Sequence, residues 1–278
     1  MNFKNKAIFI TGGSSGIGLA CARYAAARGA NVAIFARDRK RLGGALADIG
    51  KCRVAADQKF EAYQLDVSHN ADVERVMQLA VQETGDPFIL INSAGLGGAF
   101  HFEDISYTRF DDTMKINVYG TRNTTASLLP FMKKSGGHIV NVSSMGGFIG
   151  VFGYTAYSAS KFAVVGFSEC LRAELKRFNI NVSVLCPPDT DTPMMHSQGM
   201  ARPRETIAIA GNAGLKTAAY VAAAMYKGLE KKLFIITPGT SGKLIYLIKR
   251  LIPALPEALM DRTIRKVQQK SADKGQKI

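Results

Sequence analysis

Tyr157 and Lys161 stand four residues apart in the run Tyr154-Thr155-Ala156-Tyr157-Ser158-Ala159-Ser160-Lys161. On a helix, residues at i and i+4 lie one turn apart on the same face, so a phenol and an ammonium would project into one site. A neighbouring cation favours phenolate and draws a tyrosine pKa of about 10 towards the range where the hydroxyl exchanges a proton in catalysis. Solvated helix faces also carry such pairs by chance, so the other polar groups of the chain decide whether this one does chemistry. A second candidate is Thr11-Gly12-Gly13-Ser14-Ser15-Gly16-Ile17-Gly18. Its glycines, spaced Gly-x-x-x-Gly-x-Gly, permit a tight turn and close approach of backbone to a pyrophosphate, whose charge then meets the amino terminus of a helix. A dinucleotide is the expected guest of Gly12, Ser14, Ser15, Gly16, Ile17 and Gly18.

These residues need elements to hold them, and the chain alternates short apolar runs with helical patterns, as βαβ units do. The apolar runs predict strands at Ala7–Ile10, Asn31–Ala36, Ala62–Leu65, Phe88–Ile91, His138–Val142, Asn181–Leu185 and Leu233–Ile236. Amphipathic or Ala-rich stretches near 16–28, 70–84, 103–133 and 155–178 read as helices. The expected fold is a single-domain α/β, Rossmann-like, doubly wound parallel sheet of seven strands with helices on both faces. Ligands in such sheets bind beyond the carboxyl ends of the strands, and the unusual residues fall in those loops.

The end of the second strand should reach the adenine ribose, where an acid suits NAD and a base suits the 2′-phosphate of NADP. There the chain reads Ala36-Arg37-Asp38-Arg39-Lys40-Arg41, with Arg37 nineteen residues after Gly18 and Arg41 one helical turn further on. NADP(H) is favoured, with Asp38 the competing ribose ligand if the strand ends one residue later. Asp66-Val67, after the third strand, either lies beside the adenine or caps the next helix.

The 278 residues, 47% of them hydrophobic, suffice for one large core, and neither a low-complexity tract nor an internal repeat divides them. Cys21, Cys52, Cys170 and Cys186 lie far apart without a CxxC pair or His/Cys clustering, which predicts no metal site and a reducing, cytoplasmic setting. The apolar stretch Ala7–Ile10 is far too short for a signal core or a spanning helix. Formal charge is +14, and residues 227–278 hold twelve Lys/Arg against four Asp/Glu, so +8 of it lies in the last fifth. Without aromatic platforms or a recognition motif among those charges, nucleic acid is not the expected partner.

Taken together, Thr11-Gly12-x-x-x-Gly16-x-Gly18, Asn92-Ser93-Ala94-Gly95, Asn117, Ser143-Ser144 and Tyr157-x-x-x-Lys161 resemble the short-chain dehydrogenase/reductase family along almost the whole chain. The family's Asn-Asn-Ala-Gly appears here with Ser93 in second place, which keeps the turn and alters one hydrogen bond. The resemblance implies that Tyr157 protonates a carbonyl oxygen while NADPH delivers hydride to carbon. Lys161 would lower the phenol's pKa and bind the nicotinamide ribose, and Ser144, or its neighbour Ser143, would stabilise the developing negative charge. Asn117 would bend its helix and hold a water in the proton relay. Asn92, Ala94 and Gly95 would line the cofactor, and Pro187, Thr190 and Thr192 would reach the nicotinamide carboxamide. Subunit pairing through the helices near 117–133 and 155–178, as homodimer or homotetramer, is implied as well.

Within the family, Pro187-Pro188-Asp189-Thr190-Asp191-Thr192-Pro193, taken with Phe152 to Ala163, is similar to the 3-ketodihydrosphingosine reductases, which reduce the 3-keto group of a long-chain sphingoid base with NADPH. The implied partner is a hydrophobic ketone or alcohol; a 3-oxoacyl chain and a steroid are the alternative substrates, and a non-catalytic NADP sensor is a third reading. Residues 188–215, with Met194, Met195, Met200, Ile207 and Ile209, read either as an adaptable lid or as a surface helix packed on the core. The expected organisation is a 1–242 domain followed by a basic amphipathic extension, 243–278. Lys243 to Pro256 would lie on an anionic membrane surface or cover the core or a subunit interface, with Val267 to Ile278 a frayed polar end.

Overall fold

The computed structural model describes residues 3–197, 202–210 and 214–272. Met200 of the expected lid therefore lies outside the described residues. Seven parallel strands form one sheet in the order β3-β2-β1-β4-β5-β6-β9. They are β1 (Ala7–Thr11), β2 (Asn31–Ala36), β3 (Phe60–Gln64), β4 (Pro87–Asn92), β5 (Gly137–Val142), β6 (Ile180–Leu185) and β9 (Ile235–Ile236). Every expected strand is present, with neither end shifted by more than two residues. The reason is burial on both faces, which makes a parallel strand a continuous apolar run. In β1, Ile8 and Ile10 face one layer and Phe9 the other, all fully buried.

On the Ile8 face pack α1 (Gly16–Ala26), α2 (Arg39–Gly50) and α9 (Ala218–Glu230), with Cys21, Ala22, Ala25, Val221 and Met225 in the core. On the Phe9 face pack α3 (Asn70–Thr84), α5 (Gly120–Ser135) and α6 (Thr155–Leu175), through Val73, Met77, Leu128, Met132, Leu171 and Leu175. Each of these side chains contributes about 1.5–3 kcal/mol where it is a large aliphatic. Strand order reverses at β1 and β4, so the loops after them part and leave a crevice at the carboxyl edge of the sheet.

Two departures from the expected elements bear on that crevice. The stretch near 103–133 is α4 (Tyr107–Met114), a π-helical turn at Lys115–Tyr119 and then α5. Such turns reset the direction of a helix, and Asn117 sits at this one. Beyond β6 come a two-residue ladder of β7 (Thr190–Asp191) with β8 (Lys216–Thr217) and two short helices, α7 (Pro193–Ser197) and α8 (Arg204–Ala210). The basic extension is helical as α10 (Thr240–Leu251) and α11 (Ala254–Ala272). Val267 to Ala272 thus belong to α11 and are not a frayed end; α11 packs along α8. No described helix is long and apolar enough to cross a membrane.

Candidate active site

The Gly12 loop leaves β1 under steric compulsion. Gly12 has φ of 66° and Gly16 of 53°, the left-handed region that glycine enters without strain. A Cβ on Gly12 would lie 2.8 Å from the Ala94 nitrogen, and one on Gly18 would lie 2.4 Å from the Gly12 oxygen. Thr11 Oγ1 accepts hydrogen bonds from the Ser93 and Ala94 amides, both at 3.1 Å, which ties the loop after β1 to the loop after β4. Ser15 precedes α1 without a side-chain cap, and the first turn carries no acid, so the amides there are left for an anion. The backbone fits a pyrophosphate.

Tyr157 and Lys161 sit on the first two turns of α6, as their spacing predicts. Lys161 is 5% exposed, and its Nζ donates to the Val142 carbonyl at the end of β5, at 2.9 Å. Burial pushes its pKa down to about 8. The two serines after β5 divide their duties. Ser143 is buried and donates to the Lys161 carbonyl at 3.0 Å, so it is spent on holding α6. Ser144 lies half-buried in the cavity wall and hydrogen-bonds Tyr157. Of the two, Ser144 is the serine whose hydroxyl meets the phenol.

The expected depression of the Tyr157 pKa is corrected by the structure. Burial pushes it up to about 12, opposed by the Ser144 hydrogen bond and reinforced by Tyr154 and by the charge of Asp189. Lys161 has its ammonium on Val142, 5.6 Å from the centroid of the Tyr157 ring, and does not offset that burial.

Asn117 is 1% exposed and braces the site. Its Oδ1 accepts from the Leu96 amide at 2.7 Å, and its Nδ2 donates to Leu96 O at 2.9 Å and Ser160 Oγ at 2.8 Å. Ser160 in turn donates to the Tyr157 carbonyl at 2.7 Å. Asn92 does not turn towards the crevice; its amide donates to Thr125 and Asn141, and its oxygen accepts from Thr124, all buried.

The remaining expected residues separate into two groups. Gly12, Ser15, Gly16, Ile17, Ala94, Gly95, Ser144, Tyr157, Lys161, Pro187, Thr190 and Thr192 line one cavity of about 560 Å³. Ser14, Gly18, Arg37, Arg41, Asp66, Val67, Asn92 and Asn117 lie outside its wall. Arg37 Nη1 is 3.9 Å from Asp66 Oδ2, and Arg41 Nε is 3.4 Å from Asp38 Oδ2, with both arginines about two-thirds exposed. Asp38 caps α2 by accepting from the Arg41 amide. Burial raises the pKa of Asp66, yet two hydrogen bonds from Ser68 and the Arg37 charge hold it below the usual range. Val67 is buried against Gly120, and its carbonyl accepts from Asn123 at 3.1 Å. The hydroxyls of Thr190 and Thr192 close on the loop's own carbonyls at 2.8 and 3.2 Å.

Several cavity residues carried no signal at their own positions. Ile149, Val151 and Arg202 line it, as do Leu259, Met260 and Thr263 of α11. The leucine spacing of the extension marks an amphipathic helix, but not that one of its faces closes a site more than ninety residues back in sequence.

The sequence pattern of the short chain dehydrogenase family matches residues 6–202. This chain is a member of that family, an oxidoreductase on a Rossmann-like sheet. It is 35% identical over 240 residues to the 3-dehydrosphinganine reductase of Danio rerio, covering 86% of this chain and 72% of that one. It is 33% identical over 242 residues to the 3-ketodihydrosphingosine reductase of Dictyostelium discoideum, covering 82% of this chain and 72% of the other. Among solved structures, a short chain dehydrogenase/reductase from Burkholderia phymatum in complex with NAD superposes with a TM-score of 0.80 at 24% identity, over 92% of this chain and 96% of that one. An alcohol dehydrogenase from Thermococcus sibiricus complexed with 5-hydroxy-NADP gives 0.72 at 24% identity, over 84% and 95%. Both share the fold.

The buried Lys161 makes a pH prediction. An unfolded lysine keeps its proton to about pH 10.4, whereas Lys161 in the fold releases it near 8. The unfolded chain then binds more protons in that interval, so this residue's contribution to stability rises with pH. Urea unfolding at pH 7 and at 9.5 should show wild type gaining relative to Lys161→Met as pH increases. A constant difference between the two proteins would refute the buried, depressed ammonium.

Proposed function

We propose that the protein reduces the 3-keto group of a long-chain sphingoid base, 3-ketodihydrosphingosine, to the secondary alcohol dihydrosphingosine, using NADPH. One observation carries the reading: a protonated Tyr157, hydrogen-bonded to Ser144, opens into a large cavity whose remaining wall is mostly aliphatic and methionine. The names of the relatives point to the same substrate. NADPH, when bound, supplies the hydride that reaches the carbonyl carbon. Tyr157 gives its proton to the carbonyl oxygen, and Ser144 donates a hydrogen bond to that oxygen as charge develops. A phenol whose pKa is pushed up to about 12 is held protonated at neutral pH, which is the form needed for reduction.

Lys161 sits beside Tyr157 to hold the nicotinamide ribose, and its burial lets it surrender a proton for relay more readily than a free lysine. Asn117 fixes the turn of α6 that carries both. Gly12, Ser15, Gly16 and Ile17 take the pyrophosphate at the start of α1; Pro187, Thr190 and Thr192 face the nicotinamide. Arg37 and Arg41 flank the adenine ribose at the end of β2. Their surface ion pairs contribute only about 0–1 kcal/mol, so a 2′-phosphate can readily take them over. Helix α10, which reaches the cavity wall through Ile245, carries a second lipid feature. On α10, Leu244, Leu247 and Leu251 are 58%, 52% and 71% exposed, with Lys243 and Arg250 also exposed. This face, continued by α11 into the cavity wall, would rest on an anionic bilayer and admit a substrate that resides there.

Tyr157→Phe should abolish ketone-dependent NADPH oxidation while NADPH titration by fluorescence stays within about twofold; persistent turnover would reassign the acid. Arg37→Asp should lower the ratio of NADPH to NADH affinity at least about tenfold, one charge-assisted contact to phosphate being lost and a repulsion gained. An unchanged ratio would remove Arg37 from the ribose site. Sedimentation with phosphatidylglycerol vesicles should recover wild type in the pellet and leave the Leu247→Glu/Leu251→Glu double variant in the supernatant. Equal recovery would reject membrane docking through α10.

A further inference from the structure

The wall of the cavity is apolar over most of its extent, and one ion pair interrupts it. Arg202 Nη1 lies 3.5 Å from Asp189 Oδ2, and Arg202 Nη2 donates to the Tyr154 hydroxyl at 2.6 Å. The Tyr154 ring is 5.5 Å from the ring of Tyr157, so the pair is linked through one aromatic contact to the reacting phenol. Its two members differ in access: the Arg202 side chain is 11% exposed and that of Asp189 36%. The cation is tucked in behind; the carboxylate is the open member.

Asp189 is also rigidly mounted. Pro187 and Pro188 restrict the backbone before it, its own carbonyl accepts from the Lys216 amide at 3.0 Å, and β7 begins at the next residue. The nearest approach of Arg202 to its carboxylate is through Oδ2, and among the described residues neither carboxylate oxygen accepts a hydrogen bond. A carboxylate oxygen beside an apolar cavity is costly to desolvate unless a cation meets it. The reading as a sphingoid ketone reductase supplies that cation, because such a substrate carries an ammonium on the carbon next to its ketone.

On that reading, we infer that Asp189 binds the substrate ammonium and thereby selects a 2-amino ketone over other long-chain ketones. The contact would set the ketone oxygen against Tyr157 and Ser144 from the side opposite the aliphatic chain. It would also couple recognition to chemistry. The Asp189 charge adds to the burial that pushes the Tyr157 pKa up, and an ammonium seated on Asp189 offsets that charge. Burial remains the larger cause, and the seated ammonium would draw the phenol's pKa down from its unliganded position. Arg202 then acts as a positioning residue, holding the carboxylate and Tyr154. On Arg202, Nη1 and Nη2 are engaged by Asp189 and Tyr154, while Nε is buried and has no hydrogen-bond partner among the described residues, so a carboxylate substrate is the competing reading.

The test is steady-state reduction by the full chain with NADPH, comparing 3-ketodihydrosphingosine with its des-amino analogue, 1-hydroxyoctadecan-3-one. Wild type should favour the amino ketone in kcat/KM by about 10- to 100-fold, the range of one hydrogen bond between charged groups. In Asp189→Asn the ratio between the two ketones should fall towards one, and Asp189→Glu should restore part of it. NADPH titration and thermal unfolding report whether each variant is folded; if Asp189→Asn is not, the wild-type ratio decides alone. Equal kcat/KM for both ketones in wild type would overturn the role of Asp189 and leave ketone reduction standing. Preference for a long-chain 3-oxo carboxylate would move recognition to Arg202 and overturn it too. A wild-type protein inert on all three would overturn the substrate reading and this inference with it.

Discussion

Lys161 is the residue around which the site is assembled, because a buried ammonium must have a partner and the one it finds belongs to another element, the end of β5. Its Nζ donates to Val142 at the end of β5, while its own carbonyl accepts from Ser143 one residue further along. One turn of α6 is thereby pinned to one strand end by two hydrogen bonds running in opposite directions. Asn117 adds the third direction, joining the loop after β4 through Leu96 and α6 through Ser160. Since Ser160 also meets the Tyr157 carbonyl, the backbone beneath the phenol is fixed from below. A side chain that must exchange a proton within tenths of an ångström needs this sort of support. The apolar sheet supplies the platform, but the buried polar chain sets the register of α6 upon it.

The same constraint explains the acid–base character. Hydrogen bonds to backbone carbonyls stabilise a lysine without neutralising it, and burial still drives its pKa down to about 8. Burial drives the phenol the other way. The two pKa values therefore move towards reversal, with the ammonium the more acidic group and the phenol the firmly protonated one. Spacing alone suggested a cation pulling the phenol down, because spacing reports proximity and says nothing of desolvation. Here desolvation is the larger effect for both groups.

What could be read from the chain follows a physical division. The seven strands were legible because residues such as Ile8, Phe9 and Ile10 are buried on both faces, and a doubly buried strand has no polar positions to confuse the pattern. The Tyr157–Lys161 pair and the Gly12 loop were legible because their geometry is local. The bend at Asn117 was legible only through the family resemblance, and its form, a π turn at Lys115–Tyr119, was not, since Asn117 there reaches Leu96 and Ser160, contacts distant in sequence. Asn92 illustrates the converse: a motif position next to the crevice whose side chain is claimed by Thr124, Thr125 and Asn141. The helix α2 was hidden by its polarity and by Gly43-Gly44 at its centre.

The substrate side was the least legible part, and for one reason: it is built from three pieces that meet only in space. The Pro187 to Thr192 segment is stiffened by proline and closed on itself by threonine hydroxyls, so it presents Asp189 rather than adapting to a ligand. Helix α8 and the Arg202 turn form the side wall, and α11, from the far end of the chain, closes the remainder with Pro256, Leu259 and Met260. A rigid polar edge and a helical apolar wall divide the labour of recognition. The wall accepts any chain of suitable bulk, because burial of methylenes is non-directional. On the proposed reading, discrimination comes from the edge, where a fixed charge distinguishes one functional group from another. A family fold that performs the same hydride chemistry on many alcohols can therefore change substrate by altering this edge and this wall, while Lys161 and its partners stay as they are.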